Sequence, residues 1–197
     1  MLNIPYVQHR MSVLVAQELS SVLGSRLTVG QINIGLLNRI IIDDLILNDQ
    51  SGKELLKIGR LSAKFEILPL FNGKISIGNV QLFSFNANLE RPMPQAETNF
   101  QFILDAFASK DTVKKKSNLD LRINSLLIRR GRISYDVLSA GKTPGKFNPQ
   151  HIRLSNILAN ISLKALQSDS INAAIKRMSV EEEHSGFELK KLSLKIV

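Results

Sequence analysis

The sequence predicts a mainly β fold, a curled antiparallel sheet with an N-terminal amphipathic helix and one short inserted helix. The first observation behind this prediction is a spacing of i, i+2, i+5, i+7 within residues 75–91, at Ile75, Ile77, Val80 and Leu82. Side chains alternate between the two faces of a regular strand, so four residues at this spacing share a face only where one residue is inserted. A β-bulge at Gly78 and Asn79 would insert that residue and bend the strand.

The second observation is that this spacing, termed the octet, recurs along the chain. Further copies start at Leu27, Ile40, Leu121, Ile152 and Phe187, and a weaker one starts at Ala173. Because the intervals between copies are irregular, they favour a family of bent strands with variable connections over a solenoid of fixed repeat length. Alternation over 61–67 predicts one more half-buried strand. A change of parity between Leu82 and Phe83 predicts a second bulge.

Two stretches with helical spacing are the third observation. Apolar residues recur at helical intervals between Pro5 and Gly24, which predicts that residues 1–25 form an amphipathic helix. This helix either covers the open end of the sheet or lies on a membrane surface. A second helix is predicted at about 99–109, with Asn99 as its N-cap. Its apolar side would consist of Phe100, Ile103, Leu104 and Phe107.

Residues 26–197 are predicted to form one β-groove segment, interrupted by the second helix and by a flexible basic loop at about 110–118. Two short helices cannot cover the apolar face of so many strands, so the sheet must curl on itself or bury this face against another molecule. A curled and bulged sheet makes an apolar groove, which suits an acyl chain. Because the strand pattern still runs at Val197, we expect a truncated fragment of a larger protein.

Composition narrows the function classes. The sequence contains no cysteine, so disulfides, thiolate catalysis and cysteine-bound zinc are excluded, and it has no apolar run of about 18 residues that could span a membrane. A net charge of +9 indicates an anionic partner such as a lipid headgroup surface or nucleic acid. We expect no nucleic-acid binding, because the basic residues fall in a predicted loop and turn without interleaved aromatic residues. These basic residues are 114–116, Arg129, Arg130 and Arg132.

Candidate catalytic and metal-binding residues are few. The three histidines, His9, His151 and His184, do not have metal-ligand spacing. The adjacent Asp43 and Asp44 are predicted to turn the chain at a bulge. Phosphate-binding loops, nucleophile elbows and dinucleotide fingerprints are missing from the sequence. We therefore predict no enzyme activity, no cofactor and no metal site.

Several motifs follow one another in a characteristic order. They are IPYVQ at 4–8, then the amphipathic helix, LTVGQINI at 27–34, IDDLIL at 42–47, GKISIGNVQL at 73–82, NLER at 88–91 and NFQFILDAF at 99–107. In this order they resemble the N-terminal part of TamB-like proteins of the AsmA-like superfamily, in the form found in Bacteroidota. The resemblance covers about residues 4–135.

The resemblance implies a long periplasmic protein that a signal-anchor helix, just upstream of residue 4, holds in the inner membrane. Such proteins form a curled, taco-shaped sheet with an apolar lumen that extends toward the outer membrane. The family is associated with phospholipid transport between the membranes and with assembly of outer-membrane proteins beside a barrel partner. It offers no catalytic residues to carry over.

The sequence therefore supports two functional hypotheses. In the first, the chain is a segment of a lipid-transfer groove whose partners are phospholipid acyl chains, the inner membrane and an outer-membrane assembly barrel protein. Residues expected to line the groove or to pack its closed end are Ile32, Ile34, Val80, Leu82, Phe85, Ala87, Leu89, Leu126 and Ile128. In the alternative, the chain is a scaffold that assists assembly of outer-membrane β-barrel proteins by strand addition.

Overall fold

A computed structural model describes residues 13, 16–17, 19–21, 23–35, 38–66, 75–108, 119–120, 124–167 and 170–196. The strands in this part of the chain are β1 (Leu27–Gly35), β2 (Arg39–Asn48), β3 (Glu54–Glu66), β4 (Ile75–Arg91), β5 (Leu119–Asp120), β6 (Ser125–Val137), β7 (His151–Gln167), β8 (Ser170–Glu182) and β9 (Glu188–Ile196). One helix, α1 (Gln101–Ala108), lies between β4 and β5. The described residues from 13 to 23 are also helical and are called the N-terminal helical segment. Residues 1–12 of the predicted amphipathic helix lie outside the described part.

The strands form one sheet in the order β1-β2-β3-β4-β6-β7-β8-β9, and β5 pairs with β4. Strands β1 and β9 stand at the two ends of this order, so the described sheet is not closed into a barrel. The prediction of a purely antiparallel sheet is wrong at β4, which is parallel to both β5 and β6. The long connection that contains α1 carries the chain back to the starting end of β4, and such crossovers produce parallel pairs.

The octets pair with one another across the sheet. Leu27 lies opposite Leu47, Val29 opposite Leu45, and Ile32 opposite Ile42. The pattern continues through β3 at Leu56, Ile58, Leu61 and Ala63, and through β4 at Val80, Leu82, Phe85 and Ala87. The face of the sheet that carries these residues is called the apolar face.

A line of left-handed residues and glycines runs across the middle of β1, β2, β3, β4 and β6. Asp44, Ser84 and Arg130 have φ values of 56°, 54° and 55°, in the left-handed region. Gly30 and Gly59 lie beside them, and a Cβ on Gly30 would come within 3.0 Å of the Cβ of Asp44. On these five strands the apolar residues change parity at this line, called the crease, so apolar side chains on both sides of it reach the same face.

Of the two bulges predicted in β4, the structure contains the first, whereas the second prediction is wrong because β3 and β4 keep their register from Leu82 to Phe85. Lys64 lies opposite Asn79 and Phe65 opposite Ile77, so Gly78 is the inserted residue and the first prediction is confirmed. The change of parity after Leu82 occurs at Ser84, without a shift of register.

The region after β4 requires three corrections. Asn99 is not the predicted N-cap, because its side-chain amide bonds to the backbone of Asn88 and Glu90 on β4. The inward side of α1 carries Phe102, which is 9% exposed, whereas Leu104 is 50% exposed. The residues 129–131 continue through β6 and do not form a turn. The predicted flexible loop at 110–118 lies outside the described residues.

Candidate functional site

The apolar face is closed by packing over its first three strands. The most buried apolar side chains concentrate there: Leu27, Ile32, Ile42, Leu45, Leu47, Leu55, Ile58 and Ala63 are all 8% exposed or less. Ala16, Leu19 and Leu23 of the N-terminal helical segment pack against this core cluster. The hydroxyl of Ser20 accepts a hydrogen bond of 2.9 Å from the backbone N–H of Leu27, which attaches the segment to β1.

The centre of the face is filled by the side chain of Phe85. Phe85 is 8% exposed, and its ring covers Gly131 on the neighbouring parallel strand β6. A Cβ on Gly131 would overlap Cε1 of this ring and would come within 2.8 Å of Cδ1. Gly131 therefore occupies an octet position of β6 because the aromatic ring needs its space.

A row of apolar residues on the same face lies outside the core cluster. Val80 lies opposite Leu126 and Leu126 opposite Ile161; Ile161 lies opposite Ile175, and Ile175 opposite Leu194. These five residues are called the apolar row. Four are partly buried, Leu194 is 48% exposed, and none belongs to the core cluster of the described residues. The row crosses five strands, or about 19 Å at a strand spacing of about 4.8 Å.

The predicted groove residues fall into two groups. Ile32 and Phe85 are buried in the core cluster. Leu82, Ala87, Leu89 and Ile128 pack against it. Val80 and Leu126 belong to the apolar row. The backbone of Ile34 pairs with Ile40, and its side chain lies outside the described part.

A further octet on β3, at Leu56, Ile58, Leu61 and Ala63, was not among the predicted copies, although its residues have the same spacing. Because Leu61 and Ala63 alternate with polar residues over 61–67, this part of β3 was predicted as a regular strand, and the copy that begins at Leu56 was overlooked. A second copy on β6, at Leu126, Ile128, Gly131 and Ile133, was also missed. A glycine at an apolar position hides such a copy from a search for hydrophobic residues. The predicted copy at Leu121 cannot be compared with it, because residues 121–123 lie outside the described part.

A buried polar network at one end of the sheet was missed as well. His151 is 5% exposed, its Nδ1 lies 2.8 Å from Oδ1 of Asp136, and its Nε2 lies 3.0 Å from the carbonyl oxygen of Ala140. Arg153 donates a hydrogen bond of 2.7 Å to the other carboxylate oxygen of Asp136. Burial alone would raise the pKa of Asp136, but the bonds from Arg153 and His151 lower it. The network fastens the β6–β7 connection.

Two further carboxylates hold hairpin turns. Glu182 is 3% exposed and accepts hydrogen bonds from the hydroxyl and the N–H of Ser185, at 2.5 and 2.7 Å. Burial would raise the pKa of Glu182, but these bonds lower it from 4.5 to about 2. At the β2–β3 turn, Asp49 accepts hydrogen bonds from the hydroxyl and N–H of Ser51 and from the N–H of Lys53. Burial would raise the pKa of Asp49, but these bonds lower it.

The aspartate pair of β2 lies in the crease, but the strand continues through it without a register shift, so the prediction that the pair turns the chain at a bulge is wrong. Asp44 adopts the left-handed conformation and is exposed. Asp43 forms an ion pair of 2.6 Å with Arg60 on β3. The described residues contain no group of three or more metal-ligating side chains, and no described helix has the length and hydropathy of a membrane span.

Comparisons with known proteins give no family assignment: no protein-family model matches the chain, and no curated protein matches it significantly.

Proposed function

We propose that the apolar row holds phospholipid acyl chains and that the chain is a segment of a periplasmic lipid-transfer groove. The observation that carries the proposal is the row itself, an apolar strip across five strands that the core cluster does not include. Each buried methylene group contributes about 0.8 kcal/mol in transfer free energy. A strip without polar side chains suits a ligand that is apolar along its length.

The burial of β7 supports a curled, taco-like sheet. Ile157 and Ala159 are 4% and 2% exposed, although β7 stands five places from β1 in the pairing order. A flat, single-layered sheet would leave this face in contact with water, so low exposure there favours strands that curve around one another. The crease and the bulges provide the bends.

The wider setting of the proposal rests on the family resemblance. An anchor upstream of the chain would hold it in the inner membrane, the N-terminal amphipathic helix would cover the membrane-proximal end of the groove, and lipid would move toward the outer membrane. There an assembly barrel protein is the expected partner. The groove would act by holding acyl chains, without catalysis.

Two adjacent leucines provide the test. Leu126 belongs to the apolar row, whereas Leu127 lies opposite Gln81 and Asn160 on the other face of β6. In Leu126→Asp we expect the amount of phospholipid that copurifies with the protein, measured by mass spectrometry, to fall at least tenfold. In Leu127→Asp it should stay near the level of the unmodified protein. Equal lipid content in the two folded variants would overturn the proposal.

Strand addition to a client barrel protein is the second candidate. The observation in its favour is β9, which ends the pairing order of the described sheet and has the exposed side chain of Leu194. An edge strand offers unpaired backbone groups to another chain. Under this hypothesis Leu126→Asp would leave client binding intact. A proline on β9 at a position whose backbone N–H points away from β8 would reduce client binding, because it removes a hydrogen-bond donor from the edge.

A further inference from the structure

The outer face of the sheet, opposite the apolar face, carries a concentration of positive charge. Six residues form it and are called the basic patch: Arg129, Arg130, Lys176, Arg177, Lys190 and Lys191. All six are exposed. They form three adjacent pairs, and each member of a pair has a residue of the apolar face on its other side, as Lys176 has Ile175 and Arg177 has Met178. Alternation therefore turns both side chains of a pair outward, and the strand changes parity between them.

The register brings these residues together. Arg129 and Arg130 lie opposite the position of Leu158 on β7, and Leu158 lies opposite Ser179 on β8. Lys190 and Lys191 face the same part of β8, because they fall between the pairs that join Met178 to Leu192 and Val180 to Leu189. The charges of β6 and β9 are thus about 14 Å apart, three strand spacings. Lys176 and Arg177 lie between them, two to three residues along β8.

Few acidic groups neutralise the patch. Among the described residues, Glu188 lies 3.6 Å from Lys190, and Glu181 accepts a hydrogen bond from Asn156. The equivalent octet positions of β2 and β3 differ, because Arg60 there is paired with Asp43. The positive charge is therefore concentrated on the β6–β9 side of the sheet.

We propose that the basic patch binds the surface of an anionic phospholipid bilayer. Charge complementarity is the first argument, since clustered Lys and Arg side chains attract anionic lipid headgroups. The second argument is against DNA as the partner: the patch lies in the face of a sheet, whereas the reading of DNA bases needs a helix or a β-ribbon that enters a groove. The interaction uses the face opposite the apolar row and goes beyond the lipid-transfer function.

Vesicle sedimentation tests the proposal with variants matched in charge. One variant changes Lys176, Arg177, Lys190 and Lys191 to Gln. The control changes four exposed lysines elsewhere to Gln, namely Lys57, Lys64, Lys142 and Lys146. Both lose four positive charges, so non-specific attraction falls equally. Thermal unfolding followed by circular dichroism establishes that both are folded.

We expect the unmodified chain to sediment with phosphatidylcholine vesicles that contain about one third phosphatidylglycerol, and high salt to release it. The patch variant should bind at least about a hundredfold more weakly, and the control within about threefold of the unmodified chain. Equal losses in the two variants, or no binding by the unmodified chain, would overturn the proposal. Tighter binding to a short DNA duplex than to these vesicles at the same salt would overturn the assignment to lipid. Because the apolar row is intact in both variants, acyl-chain binding is unaffected by any of these outcomes.

Discussion

The two halves of the sheet build the same apolar face with different strand pairing. In β1–β4, neighbouring strands change parity opposite one another, with Gly30 facing Asp44 and Gly59 facing Ser84, and the ladder keeps its register through the crease. In β6–β9 the changes fall at staggered positions, and every pair of strands shows register shifts. Matched insertions preserve hydrogen bonding across a bent sheet, whereas unmatched insertions become bulges.

The halves also differ in how the face is covered. The β1–β3 side has the N-terminal helical segment against it and contains eight of the most buried apolar residues. On β9, Leu189 and Leu192 are partly buried and Leu194 is half exposed. The apolar face is therefore packed over β1–β3 and accessible at β9, while Ile157 and Ala159 of β7 between them are buried. Whether a part of the face is packed or accessible depends on the elements that lie against it.

The largest effect is expected where the halves meet, at the contact between Phe85 and Gly131. Gly131→Ala should lower the free energy of unfolding by about 3 kcal/mol, because the added methyl group overlaps the ring. Gly78→Ala is the control, since among the described residues its Cβ would meet only Nδ2 of Asn124, at 3.5 Å. It should cost less than about 1 kcal/mol. Urea unfolding gives both values.

The same contact can be checked by rescue. Phe85→Leu shortens the side chain that meets the new methyl group, so adding it to Gly131→Ala should recover at least about 1 kcal/mol relative to additivity. Strict additivity of the two changes would show that they are independent and that this contact does not set the requirement for glycine.

Two truncations measure the difference in cover. Ile32 is 2% exposed, and Ile32→Ala should lower the free energy of unfolding of the protein by about 3 kcal/mol. Leu194 is 48% exposed, and Leu194→Ala should lower the free energy of unfolding by less than about 1 kcal/mol. Equal losses would contradict the contrast between the packed β1–β3 side and the accessible β9 edge.

The carboxylate of Glu182 makes the β8–β9 turn sensitive to acid. Because its pKa is lowered from 4.5 to about 2 by folding, the unfolded chain binds more protons in this interval, and stability rises with pH there. The contribution is complete above pH 4.5 and is lost as the pH falls toward 2. Glu182→Gln should flatten the dependence of stability on pH in this window. An unchanged slope in urea unfolding between these pH values would contradict the assignment.

The smallest effect concerns the left-handed residues of the crease. An ordinary residue in this conformation is disfavoured by about 1–2 kcal/mol, which glycine avoids, although glycine loses about 0.5–1 kcal/mol through chain entropy. Ser84→Gly should therefore raise stability by about 0.5 kcal/mol. Asn156→Gly, in the staggered half, should gain less, because asparagine tolerates the left-handed region. A loss of stability in Ser84→Gly would show that its side chain stabilises the crease.

The sequence predicted the strands and the apolar face well, because the octet combines the period of a strand with the position of its bulge. The segment of β4 and its bulge at Gly78 are examples. It could not reveal the direction of β6 beside β4, since the residues between them can connect either a parallel or an antiparallel pair. Without that pairing, the contact of Phe85 with Gly131 has no signature in the sequence.

The sequence also could not show which of the predicted groove residues belong to the core cluster and which to the apolar row. Val80 and Phe85 share one octet pattern, yet one lies in the apolar row and the other in the core. The difference arises from tertiary neighbours: Phe85 packs over Gly131, whereas Val80 leads into the row through Leu126. Likewise, the contacts of His151 with Asp136 and Ala140 form only when the β6–β7 connection folds back.

The most direct measurement is photo-crosslinking with a reactive amino acid placed at Leu126 or, as the matched control, at Leu127. The purified protein is exposed to phosphatidylcholine with a radiolabelled phosphate, in high salt so that the basic patch is screened. The lipid-transfer account predicts a labelled adduct at Leu126 and none at Leu127. Label at both positions, or at neither, would contradict the claim that the apolar row holds acyl chains.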